Sequence, residues 1–309
     1  MSAVLTCLKA LAEPTRLRLA RLCARDDLTV SDLTALLGGS QPGISRHLKL
    51  LVEGGVLDRF REGSWVFYRL ARRGAAAPVV EAVLDALPED DPALAADLAR
   101  LKRLEEVRSD RARGYFAAVA ADWDRLRALQ ADEAVVDAAI REMVCDRPVR
   151  ALLDVGTGTA HMLTLLGPEA AHGQGIDLSP EMLALARENL AAAGLRHCLV
   201  RQADMEHLPG DLADFDMVVF HQVLHYARRP AAAVAEAARV LAPGGRVMVV
   251  DFLPHGLDEL RTEHNHARLG FPAAEVESWF SGAGLAPVAE RRVPGDPLTV
   301  GIWMGEKRR

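Results

Sequence analysis

The most constraining stretch of this 309-residue chain is ALLDVGTGTA, residues 151–160. An apolar run closes on an acid, Asp154, and passes through Gly156, Thr157 and Gly158 before apolar residues resume at helical spacing. Glycines so placed let the backbone turn sharply, and the segment reads as strand, tight loop, helix. The pattern then continues. Residues 149–155, 172–177, 197–203, 216–220 and 246–252 read as strands with helices between them. Residues 286–293 and 298–305 read as a last pair of strands joined by PGDP. Such alternation predicts a parallel sheet with right-handed crossovers.

The first ninety residues carry a different pattern. Residues 4–24 are amphipathic at helical spacing, broken at Glu13-Pro14-Thr15, and residues 31–38 suggest a short helix capped by Ser31. After Gly38-Gly39, Ser40 caps another helix with Pro42 in its first turn, a tolerated place for proline. Ile44, His47, Leu48 and Leu51 share one face, and Pro42, Ser45, Arg46 and Lys49 the opposite one. Two alternating runs, VLDRFR and SWVFYRL, follow as a hairpin. Residues 78–87 form a further apolar helix. The acidic, proline-flanked LPEDDP starts a linker, and residues 92–130 are mostly helical, with a stripe through Leu94, Leu98, Leu101, Leu104 and Val107 and a break at Gly114.

A short polar-faced helix followed by a hairpin is the arrangement that reads base edges in the major groove. Ser40, Gln41, Ser45, Arg46 and Lys49, with Pro42 beside them, form the candidate reading face. Arg59 and Arg61 on the hairpin, with Ser64 at its tip, are placed for phosphates. Charge agrees. Residues 1–75 hold 12 Lys/Arg against 7 Asp/Glu, whereas the whole chain is −6. A basic N-terminal part on an acidic body is what double-stranded DNA as a partner requires.

Residues 5–70, especially LKALAEPTRLRLARL and SQPGISRHLKLL, resemble the ArsR/SmtB family of winged-helix repressors. The resemblance implies a homodimer that leaves operator DNA when an inducer binds. One departure stands out. Metalloid-sensing members carry a thiolate pair in a pattern like LCVC, and here the stretch is Leu28-Thr29-Val30-Ser31. Hydroxyls are poor ligands for soft metals, so the signal must come from elsewhere.

The second half supplies a candidate. Amides of the 156–158 loop favour an anionic group, and Asp177 closes the next strand, 19 residues after Gly158, where a ribose would sit. His161 stands where a dinucleotide loop would have its third glycine, and Ala160 is a near-match to a GxGxG loop. Residues 115–305 resemble class I S-adenosylmethionine-dependent methyltransferases, nearest the quinone C-methylating kind. By that resemblance Asp154 lies near the ligand's amino-acid end, Asp177 (followed by Leu178 and Met182) holds ribose, and Asp204 with Met205 meets adenine. Phe220 and His221 line the pocket, and Tyr115, Trp123 and Asp124 lie on a helical lid. The implied ligand is S-adenosylmethionine or S-adenosylhomocysteine.

Methyl transfer needs in-line positioning and sometimes a base. Candidate bases are His221, His225, Asp251 and His255. FHQV replaces the Asp/Asn-Pro-Pro-aromatic motif of amino methyltransferases, which leaves a small-molecule acceptor or none. In Glu263-His264-Asn265-His266 the two histidines would not share a helical face, and no metal is expected. The four cysteines are scattered, without the cluster that an arsenite methyltransferase would need. No apolar stretch reaches 18 residues, and no signal core is present, so no membrane partner and a cytoplasmic location are expected.

The expectation is therefore α/β overall. It comprises a winged helix-turn-helix, mainly α with a hairpin wing, over 1–87, a helical linker and lid over 88–130, and a Rossmann-like seven-stranded sheet with helices on both faces over 131–309. Two functions remain open: a regulator that senses methyl-donor status, or a working small-molecule methyltransferase that controls its own gene.

Overall fold

The computed structural model describes residues 2–62, 65–71, 74–88, 90–119 and 132–308. The chain divides into two compact units, Met1–Asp110 and Arg111–Arg309. The 88–130 stretch is thus shared between them.

In the first unit, α1 (Ser2–Leu11) and α2 (Pro14–Cys23) part at Glu13, whose carboxylate accepts the Thr15 and Arg16 N–H groups and caps α2. A two-residue strand, β1 (Leu28–Thr29), leads into α3 (Val30–Leu37). The cap of α3 is Thr29, not Ser31. The Thr29 hydroxyl accepts the Asp32 N–H at 3.2 Å and donates to the Asp32 carboxylate at 2.8 Å, while Asp32 accepts the Thr29 N–H. This reciprocal pair satisfies two otherwise orphaned donors. Gly38, at φ 74, ends α3 in the left-handed conformation. Ser40 then caps α4 (Gln41–Glu53), accepting from Gly43 N at 3.4 Å.

β2 (Leu57–Glu62) and β3 (Trp65–Leu70) form the expected antiparallel hairpin, and β1 pairs with β3. α5 (Ala77–Asp85) and α6 (Pro92–Val119) follow, and α6 runs through Gly114 without a break. Leu94 and Leu101 on α6 are buried as the stripe predicts, but Val107 is exposed. Leu101 joins the core of the first unit with Leu19, Leu33, Leu48 and Leu51. Buried Asp97 accepts both arms of the Arg18 guanidinium at 2.6 and 2.8 Å and also pairs with Arg100, whose Nε donates to the Leu36 carbonyl. One buried carboxylate so ties α2, α3 and α6 together.

In the second unit the order is α7 (Glu133–Val144), β4 (Ala151–Val155), α8 (His161–Leu166), β5 (His172–Asp177), α9 (Pro180–Ala192), β6 (Cys198–Gln202) and β7 (Phe215–His221). Then come α10 (Pro230–Val240), β8 (Leu241–Phe252), α11 (Asp258–Thr262), α12 (Ala273–Gly282), β9 (Leu285–Val293) and β10 (Val300–Lys307). The seven strands lie in the order β6-β5-β4-β7-β8-β10-β9, with β10 antiparallel to both neighbours and the other pairings parallel. Alternate residues feed opposite faces. Leu152, Met217, Val219 and Val250 pack into one core, and Leu153, Val155, Val218 and Val249 into the other. A sheet buried on both sides explains why β4, β7 and β8 read as continuous apolar runs. Chain order reverses at β4, which places a crevice beyond its carboxyl end.

Replacing Arg18 by alanine leaves the Asp97 carboxylate buried with one cation fewer. We expect a loss of ~2–4 kcal/mol in urea unfolding of the full chain, and an effect below ~1 kcal/mol would show that Arg100 alone suffices.

Candidate functional site

The 156–158 loop is fastened to β5. Gly156 N and Thr157 N both donate to the Ile176 carbonyl at 2.8 Å, and Gly158 N donates to the Asp177 carboxylate at 2.9 Å. Gly156 (φ 72) and Gly158 (φ 51) occupy the left-handed region that side chains disfavour. A Cβ on Gly156 would also fall 2.2 Å from Val223, and one on Gly175 2.7 Å from the Thr157 hydroxyl. The loop therefore closes only with glycine at these places. Buried Asp154 accepts the Thr157 hydroxyl at 2.6 Å, and Asn189 Nδ2 donates to the Thr159 carbonyl at 2.9 Å.

Ala160 is the strained member. It is fully buried at φ 70 and precedes α8 without any side-chain cap. An L-residue there costs energy that glycine would not.

Asp177 accepts Gly158 N on one oxygen and Ser179 N on the other. Burial pushes its carboxyl above the ordinary range, against backbone N–H groups of Ser179, Gly158 and Leu178 that pull it down. Ser179 caps α9 by accepting the Met182 N–H, which buries Met182, while Leu178 is 37% exposed. Asp204 and Met205 lie partly exposed at the end of β6, with Asp204 accepting the Glu206 N–H. These residues collect at the carboxyl edge of the sheet, as expected.

Phe220 on β7 is fully buried, in the same apolar core as Val155 and Leu224. His221 and Gln222 are the residues that reach the loop region. The His221 ring lies 5.6 Å from the His161 ring, and Gln222 is held at φ 50 by donating its N–H to the Val250 carbonyl. The side-chain oxygen of Gln222 is buried without a hydrogen-bond partner among the described residues. His161 Nε2 lies 2.9 Å from Asp137 and 3.1 Å from Glu133 on α7. That cluster was invisible in the sequence, since its members are 24 to 28 positions apart and only the packing of α7 against α8 joins them. Trp123 and Asp124 lie outside the described residues, as does the Tyr115 side chain.

Beyond β7 and β8 lies a second group. His225 Nδ1 is 2.7 Å from Asp251 Oδ1, and both residues are buried. His266 stacks on His225 with ring centroids 4.0 Å apart. His264 and His266 follow α11 in a loop and are not helical. Among the described residues no group of His, Cys, Asp or Glu is arranged to hold a metal ion. His255 packs edge-on against Phe252.

In the first unit, Ile44, Leu48 and Leu51 bury one face of α4, while Gln41, Pro42, Ser45, Arg46 and Lys49 are exposed on the other. His47 is half-buried, its Nδ1 3.5 Å from Glu13. Arg59 and Arg61 are exposed on β2, and Ser64 lies outside the described residues. The helix thus has an apolar face in the core and an exposed polar face opposite it.

The methyltransferase domain family matches residues 153–249, and a helix-turn-helix family matches residues 11–59. The chain joins an ArsR-type helix-turn-helix to a methyltransferase domain. The helix-turn-helix part is 52% identical over 63 residues to the arsenic resistance transcriptional regulator ArsR1 of Pseudomonas putida, covering 20% of this chain and 49% of that protein. The methyltransferase part is 32% identical over 164 residues to the ubiquinone/menaquinone biosynthesis C-methyltransferase UbiE of a Ruegeria species, covering 50% of this chain and 66% of that protein. The chain thus spans about half of one relative and just under two thirds of the other. In fold, the methyltransferase domain is similar to magnesium protoporphyrin IX methyltransferase of Synechocystis, at a TM-score of 0.51 and 15% identity, over 64% of this chain and 99% of that one.

Ala160→Gly removes the left-handed strain. We expect a gain of roughly 0.5–1 kcal/mol in thermal or urea unfolding, the relief exceeding the extra freedom glycine has when unfolded. Destabilisation would mean that the alanine methyl packs well enough to outweigh its backbone.

Proposed function

We propose that this chain is a DNA-binding transcriptional repressor whose methyltransferase domain binds S-adenosylmethionine or S-adenosylhomocysteine and makes DNA affinity depend on methyl-donor status. The observation that carries the reading is the glycine loop tied to Asp177, in a chain that also presents an exposed Gln41–Lys49 face. The loop amides of residues 156–158 are spent on the Ile176 carbonyl and the Asp177 carboxylate, so the loop serves by close backbone approach, while the Asp177 oxygens keep lone pairs suited to ribose hydroxyls. The Oε1 of Gln222, enclosed without a partner among the described residues, fits a site built for a polar ligand. Among the matched relatives, one is named a regulator and the other a methyltransferase, and each likeness supports one half.

The repressor acts as a homodimer. Leu5 and Leu8 on α1 are 50% and 40% exposed, apolar surface suited to a second copy. Ligand and DNA are then linked. A ligand that prefers one arrangement of the dimer shifts operator affinity by its differential binding, typically about 5–150-fold. Thr29 supports the assignment of the signal to this domain, because its hydroxyl is engaged in the α3 cap.

The decisive experiment is fluorescence anisotropy of the full chain on its own upstream DNA, with the two ligands titrated separately. We expect one form to change affinity several-fold and the other to leave it nearly unchanged. Unchanged affinity under saturation by both would remove the sensing role.

Binding should also depend on pH through Asp177. Ribose hydroxyls donate to its ionised form, and the carboxyl pKa is raised in the unliganded protein. Ligand affinity is therefore full above that raised pKa and falls as pH drops through it. Calorimetry at successively lower pH should show affinity weakening as the raised pKa is approached and passed, and Asp177→Asn should bind at least ~10-fold more weakly with a flatter pH profile. An Asn variant that binds as tightly as the parent would displace Asp177 from the ribose role.

A further inference from the structure

The amino-acid end of a methyl donor carries an ammonium group, and the glycine loop itself is poorly placed to receive it. The amides of Gly156 and Thr157 are taken by the Ile176 carbonyl, and that of Gly158 by the Asp177 carboxylate. Asp154 is 1% exposed and accepts the Thr157 hydroxyl at 2.6 Å. Its carboxylate is enclosed within the fold.

A second pair of acids lies beside the loop and is open to solvent. Glu133 and Asp137 stand four positions apart on α7, and so on one face of it. His161, the first residue of α8 after the loop, meets both, with Nε2 2.9 Å from Asp137 and 3.1 Å from Glu133. Carboxylates only accept hydrogen bonds, so Nε2 carries a proton and divides it between them. Two carboxylates face one imidazole, and all three side chains are 20–28% exposed. The group stands at the ligand edge of the sheet. Val155 on β4 is in register with Phe220 on β7, which sets His221 level with Gly156, and the His221 ring lies 5.6 Å from that of His161. Chain order reverses between these two strands, where sheets of this kind take their ligands.

Gln222 is an independent sign at the same place. It follows His221, is 7% exposed, and its side-chain oxygen is buried without a hydrogen-bond partner among the described residues. Such an oxygen marks where a donor belongs. The two carboxylates and the amide oxygen all accept, and their common complement is a cation bearing several N–H groups.

We infer that Asp137, with Glu133 and Gln222, receives the α-ammonium group of the methyl donor, in place of the enclosed Asp154. The inference rests on the proposal that the domain binds S-adenosylmethionine or S-adenosylhomocysteine, and it adds a preference between them. Only a short alkyl chain separates that ammonium from the sulfur, so carboxylates placed on the first act on the second through Coulomb attraction. They favour the charged sulfonium of S-adenosylmethionine over the neutral thioether of S-adenosylhomocysteine. The domain is thereby tuned to the donor rather than to its product.

The test is calorimetry of the full chain with both ligands and two further probes. One is 5′-methylthioadenosine, which keeps the adenosine and the thioether but has no amino-acid end. The other is the analogue of S-adenosylhomocysteine with a hydroxyl in place of the α-amino group. The parent chain should bind S-adenosylmethionine several-fold more tightly than S-adenosylhomocysteine, and the hydroxyl analogue at least ~10-fold more weakly than S-adenosylhomocysteine. Asp137→Asn should weaken S-adenosylhomocysteine by a similar factor, narrow the preference for the sulfonium, and leave 5′-methylthioadenosine and the hydroxyl analogue nearly unchanged. Glu133→Gln should shift the same ligands in the same direction. An Asp137→Asn chain that binds S-adenosylhomocysteine as the parent does, or that weakens all the probes alike, would overturn the inference. On the parent alone, equal affinity for the amino and hydroxyl analogues would do the same, and equal affinity for the sulfonium and the thioether would remove the preference. Failure of the parent to bind any of these adenosine ligands would instead remove the ligand assignment on which the inference rests.

Discussion

Three backbone amides set the geometry of the second unit's ligand edge. Gly156 and Thr157 share the Ile176 carbonyl, and Gly158 takes a carboxylate oxygen of Asp177. These bonds hold the ends of two neighbouring parallel strands together just where the chain leaves the sheet. The close approach demands small residues on both sides, which is why Gly156 faces Val223 and Gly175 faces Thr157 with no room for a methyl group. Once the loop is pinned, α8 starts in one direction only, and His161 is delivered to Glu133 and Asp137. The end of β5 keeps Asp177 beside the loop. The acids and amides of the edge are thus consequences of one tight turn rather than independent placements.

Much of this arrangement was legible beforehand, for identifiable reasons. Strands buried on both faces, such as β4 and β7, write apolar runs into a sequence; β4 to β7, β9 and β10 lie close to their expected bounds, whereas β8 begins earlier, at Leu241 rather than residue 246. The recognition helix was legible because Ser40, Pro42 and the 44-48-51 spacing each carry a local physical cost or gain. Failures came where a local rule met tertiary context. Gly114 sits inside a continuous helix, since one exposed glycine weakens a helix by only ~1 kcal/mol. Thr29 took the cap from Ser31 because Asp32 stands at the right distance to answer it.

Side-chain groups assembled from distant segments were the least legible. The dyad of His225 and Asp251 joins residues 26 apart on adjacent strand ends, and His266 arrives from a loop after α11. Nothing in local composition distinguishes these histidines from His255 or His264. The buried hub around Asp97 is similar, an acid on a helix that would ordinarily be read as solvated but that faces two guanidinium groups. Parallel strand order brings His225 and Asp251 together and helix packing builds the Asp97 hub, and both are properties of a whole unit rather than of a local stretch.

The reciprocal cap at Thr29 and Asp32 has a consequence for how repressors of this type diversify. At this helix the first hydroxyl is already committed, since it both accepts the Asp32 N–H and donates to the Asp32 carboxylate. A cysteine there could become a soft-metal ligand only by giving up the bond that starts the helix supporting the recognition helix. Metalloid capture and a well-capped α3 are therefore competing uses of one side chain. With Thr29 and Ser31 at these positions the cap is kept, and the start of α3 carries no thiol for a soft metal.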